Sequence, residues 1–225
     1  MFNLYQSNDL DVLVQRLAEL IAKPCDVNAV LAPETIVVQS QGMHHWVSMQ
    51  IAQRLGVAAN IAYPFPDAFA RDVFNLNMPT RVAERFSPQT MLWSILDLLP
   101  SLISDPSFAP VRDYLEDDRT GTKAYQLAER LASLYDAYGV YRPEMLLEWT
   151  YGDGGRNGHA VWQAALWTKL TDGAESQQPA ARRRHFLKQA TKPKGLPERV
   201  FVFGITSLPP FYLQLLEHIS TFVDV

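Results

Sequence analysis

The segment ETIVVQSQGMHHWVSMQIAQRLGVAANIAYPFP, residues 34–66, carries the strongest fold signal in the chain. It opens with a β-branched, apolar run at 35–38 that is typical of a buried strand. A sharp turn at 40–42 precedes apolar residues at helical spacing, and Gly56 is placed to end that helix. A second short strand is predicted at 60–63. Strand, tight turn, helix and strand in this order predict a βαβ unit of a parallel sheet.

The turn after the first strand lies where nucleotide hydrolases bind phosphate. Their turn has the pattern G-x-x-x-x-G-K-[ST], whose lysine and backbone N–H groups hold the phosphates. Here the turn contains Gly42 and has no lysine between Ser40 and Gln53. Such enzymes also carry a magnesium-binding Asp at the end of another strand of the sheet. At the end of the strand predicted near 200–203, this chain has Phe, Gly and Ile at 203–205. The sequence therefore predicts an ATPase-like position that does not bind ATP; an ordinary α/β turn that never bound ATP is the alternative.

Apolar patterns near both ends extend the α/β character of the chain. A strand is predicted at 2–5 and a helix from Leu10 to Ile21. Near the other end, strands are predicted at 199–203 and 221–225, with a helix at 209–219 between them. Because the sequence stops inside an apparent strand, we expect it to be a piece of a longer protein.

Between Asp67 and Ala190 helical patterns replace strand patterns. A helical insertion between strands of one parallel sheet is the simplest topology that fits this order. Helices are predicted at 67–76, 88–99, 123–138, 143–149, 160–170 and 180–190.

Composition limits the class of protein. With 225 residues, 48% of them apolar and 20% charged, the chain can bury a core as one large or two small domains. The net charge of −4 gives no global electrostatic case for nucleic acid, and the one cysteine, Cys25, excludes a disulfide framework. No signal peptide or membrane-length apolar run is evident. We therefore expect a soluble, cytoplasmic protein.

The candidate catalytic and metal-binding groups form no recognisable set. The acidic run at 116–118 lies in a turn without further ligands at metal spacing, which favours a solvated turn. His44 and His45 are adjacent on a helix, so their side chains are expected to point in different directions. His159, His185 and His218 are scattered. We predict no catalytic residue and no metal site.

A basic segment and many aromatic residues leave two interpretations open. Residues 182–199 contain seven Lys or Arg and one Glu, a local charge of +6, which leaves −10 on the rest of the chain. Such polarity can direct a phosphate backbone to one face, although a solvated helix face and loop is the plainer explanation. The aromatic residues could stack on bases or belong to the core. They are Trp46, Tyr63, Phe65, Phe69, Tyr135, Tyr138, Tyr141 and Trp149.

Six strings, in order along nearly the whole chain, resemble the N-terminal part of the RecC family, the gamma subunits of exodeoxyribonuclease V (the RecBCD complex). They are LYQSN (4–8), VVQSQGM (37–43), GVAANI (56–61), YGVYRP (138–143), GLPERVF (195–201) and FGITSLPP (203–210). Such strings are unusual, so the resemblance is specific.

The resemblance implies a superfamily-one helicase-like parallel sheet, related to P-loop NTPases, whose ATP motifs are lost. It further implies a core of residues 1–70 and 195–225 and an all-helical insertion of residues 71–194. Such a chain is not an enzyme alone and carries no cofactor, because partner subunits use the ATP and magnesium. The implied partners are a RecB-like helicase–nuclease, a RecD-like helicase, and single-stranded and forked duplex DNA.

The family's role implies that the chain helps to split duplex DNA in double-strand break repair by homologous recombination, and to scan the 3′-ended strand for a Chi hotspot. Aligned with the family's scanning positions are Gln39, Phe65, Leu134, Asp136, Arg142 and Arg183. Gln39 and Arg142 suit hydrogen bonds to base edges or phosphates, whereas Phe65 and Leu134 suit apolar contact with bases. Phe65 is aromatic where the family pattern is aliphatic.

Four further scanning positions depart from the best-known family pattern. Gln41, His45, Arg71 and Ser133 stand where that pattern has Thr, Gln, Trp and Asp. The resemblance therefore still implies that this chain helps to channel the DNA strand, but it does not imply which hotspot sequence the chain reads. The alternative function is a protein–protein scaffold of a repair complex that makes no DNA contact of its own.

Overall fold

The computed structural model describes residues 1–23, 32–76, 84–152, 154–155 and 158–225, and Cys25 lies outside them. The chain divides into two compact units: unit 1 is Met1–Asn77 with Gln189–Val225, and unit 2 is Met78–Lys188.

The described residues form ten α-helices and three strands. In chain order they are α1 (Leu10–Ile21), β1 (Glu34–Val38), α2 (Gln41–Leu55), β2 (Ile61–Ala62), α3 (Pro66–Phe74), α4 (Pro88–Leu102), α5 (Ala109–Leu115), α6 (Thr122–Tyr141), α7 (Pro143–Tyr151), α8 (His159–Thr171), α9 (Pro179–Phe186), β3 (Val200–Phe203) and α10 (Pro210–Ile219). Short 3₁₀ turns lie at Pro106–Phe108 and Glu175–Gln177.

Unit 1 is built on a three-stranded parallel sheet. The strand order is β2-β1-β3, and β1 pairs with β3 from Thr35↔Val200 to Val38↔Phe203. The other side of β1 pairs with β2, beginning at Glu34↔Ile61. These pairings confirm the predicted βαβ unit. Gly56 ends α2 in the left-handed conformation, with φ of 82°, as its position in the sequence predicted.

The core of unit 1 lies between the sheet and its first two helices. Apolar residues at three- and four-residue spacing place one face of α1 and one face of α2 against β1. The buried residues of this cluster are Val14, Leu17, Ile36, Val38, Val47, Ile51 and Phe203.

The strands predicted at 2–5 and 221–225 are wrong. Residues 221 and 222 form turns that continue from α10, with backbone N–H groups bonded to His218 and Ile219. Only Asp224 forms a bridge with Arg199, and Asn3 donates to the Val225 carbonyl at 2.8 Å. The apolar alternation at 2–5 suggested a strand with one buried face, but residues 2–5 are all exposed, so no packing supports a longer ladder.

Unit 2 is helical throughout its described residues and has its own core. The long helices α4 and α6 pack together through residues such as Ile95, Leu99 and Leu131, all buried. Tyr135 is 1% exposed, and its hydroxyl donates to the Gln163 carbonyl at 2.8 Å. Helix α5 had not been predicted. No helix among the described residues is long and apolar enough to cross a membrane.

Candidate nucleic-acid interface

Two of the predicted site residues lie at the same end of the unit 1 sheet, where β1 and β2 end. The Val38 N–H, at the end of β1, donates to the Pro64 carbonyl at 3.1 Å, just beyond β2. Gln39 and Phe65 each come one residue later along the chain. Both are exposed, Phe65 by 43%. The register of β1 and β2 therefore brings these residues to the same edge.

The helix that follows β1 fixes two further positions. The Ser40 hydroxyl accepts the Met43 N–H at 3.1 Å, and the Ser40 carbonyl accepts the His44 N–H at 3.0 Å. Such N-caps define where a helix begins. Gln41 is consequently the first residue of α2 and His45 lies one turn further on, both exposed.

An aromatic stack runs along the same part of unit 1. The His44 ring lies on Tyr63 with centroids 4.3 Å apart, and the His45 ring lies on His44 at 5.1 Å with an interplanar angle of 10°. Burial raises the pKa of the Tyr63 hydroxyl, which keeps it protonated. The expectation that the two histidine side chains diverge is wrong, because His45 continues a stack that begins on Tyr63. The strand pairing that creates this stack has no local sequence signal.

Arg71 lies farther along the same unit. It is an exposed residue in the last turn of α3, the helix that begins after Phe65. Six residues separate them, about 9 Å of helix rise. At the other end of α3, Asp67 accepts a hydrogen bond from the Tyr212 hydroxyl, which ties α3 to α10.

Met43, at the start of α2, packs against Gly204 in the loop after β3. Gly204, directly after β3, has φ of 66°, and a β-carbon added there would lie 2.8 Å from the Met43 methyl carbon. Met43 belongs to the first turn of α2 and Gly204 to the loop after β3. These are the two places where a phosphate-binding lysine and a magnesium-binding acid would be expected.

In unit 2, three predicted residues surround the buried Tyr135 on α6. Ser133 and Asp136 are exposed, while Leu134 is partly buried. The Tyr135 ring packs on Trp167 with centroids 5.1 Å apart, which fixes the rotation of α6 about its axis. Helix rise places Leu134 about 12 Å along α6 from Arg142.

Arg142 and Arg183 lie in helical segments of unit 2 that pack against one another. Arg142 is exposed and joins α6 to α7: its N–H donates to the Tyr138 carbonyl at 2.8 Å, and its carbonyl accepts the Met145 N–H at 3.1 Å. Glu144, two residues later, acts on the partly buried Arg183 of α9. Burial lowers the pKa of the Arg183 guanidinium, and Glu144 opposes that change.

The cations of the basic segment differ in burial and in their partners. Arg182 is 6% exposed, and burial lowers the pKa of its guanidinium. Arg199 binds Glu34, and Lys192 binds Glu198 at 2.8 Å. Charge counting left both interpretations of this segment open, because it does not show which cations pair or enter the core. Arg184, Lys188 and Lys194 are exposed.

The acidic turn has a structural role. Asp117 pairs with Lys123, and Asp118 accepts the Ala124 N–H at 2.8 Å at the start of α6. These contacts lower the pKa of both carboxyl groups. Within the described ranges, no group of three or more His, Cys, Asp or Glu is placed to hold a metal ion.

These features define a class: an α/β protein with a small parallel sheet, a separate helical unit, and exposed polar, aromatic and cationic side chains in each. The sequence matches the family described as RecC, N-terminal domain, over residues 2–225. The chain belongs to that family.

Curated relatives agree with this assignment. The chain is 38% identical to the RecBCD enzyme subunit RecC of Escherichia coli (strain K12), over 100% of its own length and 21% of that protein. It is 31% identical to the RecC subunit of Haemophilus influenzae, over 100% of the chain and 23% of the relative. It is 28% identical to the RecC subunit of Mycolicibacterium smegmatis, over 99% of the chain and 20% of the relative. The chain thus spans about a fifth of the length of these relatives.

Proposed function

We propose that this chain is a DNA-binding part of a RecBCD-type helicase–nuclease that acts in double-strand break repair by homologous recombination. The observation that carries the proposal is the exposure of Gln39 and Phe65 at the same end of the unit 1 sheet, one residue apart in the register of β1 and β2. The relatives are named as subunits of the RecBCD enzyme, which supports RecB-like and RecD-like partners.

The chemistry of this edge suits a single strand rather than a duplex. A glutamine side chain can both donate to and accept from a base edge, and an aromatic ring stacks on bases of any sequence. In a duplex the bases are already stacked on one another, so Phe65 would have no face to bind. We therefore propose that this edge binds the 3′-ended strand of a split duplex and helps to scan that strand for a Chi-like hotspot.

Unit 2 supplies complementary chemistry. Arg142 and Arg183 can bind phosphates, and the partly buried Leu134 can contact a base. Asp136 can accept from a cytosine amino group. We expect this chain to prefer a different hotspot sequence, because four of its scanning positions differ from the best-known pattern: Gln41, His45, Arg71 and Ser133.

The chain is proposed to be non-catalytic, with ATP and magnesium used by its partners. The contact between Met43 and Gly204 supports this, since an apolar side chain stands between the two positions that nucleotide chemistry needs. We further propose that the sheet is a helicase-like core of residues 1–70 and 195–225, interrupted by an insertion of residues 71–194. ATP with magnesium should leave the melting temperature unchanged.

Fluorescence anisotropy of a labelled single strand, titrated against salt, tests the proposal. The double variant Arg142→Ala/Arg183→Ala should bind more weakly and with a smaller salt dependence, because about two phosphate contacts are lost. The matched control is Arg119→Ala/Arg130→Ala, which removes two exposed cations of the same unit. No binding by the unmodified chain at low salt would favour the scaffold function instead.

A further inference from the structure

A tyrosine–arginine pair at the end of α7 has no part in the function described so far. Tyr151 is the last residue of α7 and is 52% exposed. The guanidinium carbon of Arg184, an exposed residue of α9, lies 5.5 Å from the centre of the Tyr151 ring. An exposed pair of this kind contributes little to folding, so its chemistry remains available to a ligand.

The position of this ring is set by the backbone. The Gly152 N–H donates to the Glu148 carbonyl at 2.8 Å and ends α7 directly after Tyr151. A side chain at position 152 would lie 2.8 Å from the same carbonyl, so the glycine is required for this close turn. Tyr151 is thereby held at the end of the helix.

The charges around the pair are mixed. Arg183 precedes Arg184 on α9, and the exposed Lys188 follows one turn later. Glu144 acts on Arg183, and the exposed Glu148 lies one turn before Tyr151 on α7. Two acids therefore offset most of the charge of three cations. A ligand held here by charge alone would bind weakly, so stacking on the ring must contribute.

We propose that Tyr151 and Arg184 hold one nucleotide of single-stranded DNA, with its base on the tyrosine ring and its phosphate on the guanidinium. The inference rests on the proposed DNA-binding function and adds a contact to it. A planar guanidinium can lie over a ring and still donate two hydrogen bonds to a phosphate, which an ammonium cannot do. Stacking on the ring requires no particular base.

A second pair in unit 2 provides a matched control. Tyr114 is 46% exposed, and the Lys123 ammonium lies 5.3 Å from its ring centre. Lys123 also pairs with Asp117, and its ammonium contacts the Tyr114 carbonyl at 3.4 Å. The two tyrosine rings have similar exposure and each has a cation at a similar distance, but Lys123 is partly buried and already bound to a carboxylate. Tyr114→Ala should leave DNA binding unchanged.

The test is the anisotropy titration of a labelled, mixed-sequence single strand with the 225-residue chain. Tyr151→Ala should weaken binding roughly five-fold or more, whereas Tyr151→Phe, which keeps the ring, should stay within about two-fold. Arg184→Ala should lower the slope of log K against log salt by about 0.7, the value for one phosphate contact. Arg184→Lys should restore that slope without restoring affinity.

The outcomes separate this inference from the function on which it rests. If Arg142→Ala/Arg183→Ala weakens binding but Tyr151→Ala and Arg184→Ala bind like the unmodified chain, the nucleotide site is refuted and the DNA-binding function stands. Equal losses from Tyr151→Ala and Tyr114→Ala would also refute the site. If the unmodified chain binds no single strand at low salt, both proposals fail. Should Tyr151→Ala not fold, Arg184→Ala and Arg184→Lys decide the question.

Discussion

Replacing Arg199 by alanine should strongly destabilise unit 1. The Arg199 guanidinium donates to both carboxylate oxygens of Glu34, and the two side chains are 11% and 18% exposed. It also donates to the carbonyls of Leu20 at 2.9 Å and Lys23 at 2.8 Å, at the end of α1. One side chain thus joins α1, β1 and β3.

The magnitude follows from what the substitution leaves behind. Removing one partner of a fully buried ion pair costs about 3–5 kcal/mol, because the remaining charge is buried without compensation. The Arg199 and Glu34 side chains are partly exposed, so we expect a loss near or below the lower end of that range, about 2–3 kcal/mol. Glu34→Ala should cost less, since Arg199 would keep its carbonyl partners. The double variant should therefore be more stable than the sum of the two single losses predicts, with a coupling of about 1–3 kcal/mol.

Urea unfolding at 25 °C, followed by circular dichroism, measures these differences. Tryptophan fluorescence separates the units, because Trp46 lies in unit 1 and the other four tryptophans lie in unit 2. The control is Arg16→Ala, which breaks an exposed pair with Glu19 at 3.1 Å and should cost far less than Arg199→Ala, because solvent screens the pair. Equal losses from Arg199→Ala and Arg16→Ala would refute the reasoning.

Three further substitutions test individual contacts. Gly204→Ala should cost about 1–2 kcal/mol in urea unfolding, because φ of 66° is unfavourable for a side chain, while the Met43 methyl can move. Asp118→Asn should lower the melting temperature at pH 6, and by progressively less as the pH falls below 3.8: the Ala124 backbone N–H lowers the pKa of this carboxyl from its ordinary value of 3.8, so its contribution is complete above that value and is lost as pH falls through the lowered pKa. Thr150→Val should cost about 1–3 kcal/mol, since the buried Trp167 indole N–H, which donates to the Thr150 hydroxyl at 3.0 Å, loses its acceptor; fluorescence-detected unfolding measures the loss.

Local periodicity predicted the regular elements of this chain because the apolar spacing of each segment matches its burial. The run at 35–38 is buried in the centre of the sheet, and the cap signals at Ser40 and Gly56 bound α2. The segment at 2–5 has a strand pattern but no buried face. Periodicity describes what a segment could bury, whereas a strand also needs a partner to cover it.

The surroundings of the candidate site residues could be predicted less well than the helices and strands, because local sequence does not show which distant residues a side chain will meet. Cations at 182 and 199 look alike in a charge count, yet Arg182 is buried and Arg199 binds Glu34 from a distant part of the chain. The pairing of Tyr151 with Arg184 likewise joins two helices that lie far apart in sequence. Long-range pairing determines both which charges remain exposed and which rings meet a cation.

The edge of the unit 1 sheet where the strands end has two parts with different surroundings. Parallel strands all end at one edge, and β1 is central in the order β2-β1-β3. Between β1 and β3 that edge is filled by Met43 against Gly204; between β1 and β2 it exposes Gln39 and Phe65. The hydrogen bond from the Val38 N–H to the Pro64 carbonyl holds the backbone from which the Gln39 and Phe65 side chains project. Strand pairing therefore determines where these two exposed side chains lie, which the local sequence around each one does not show.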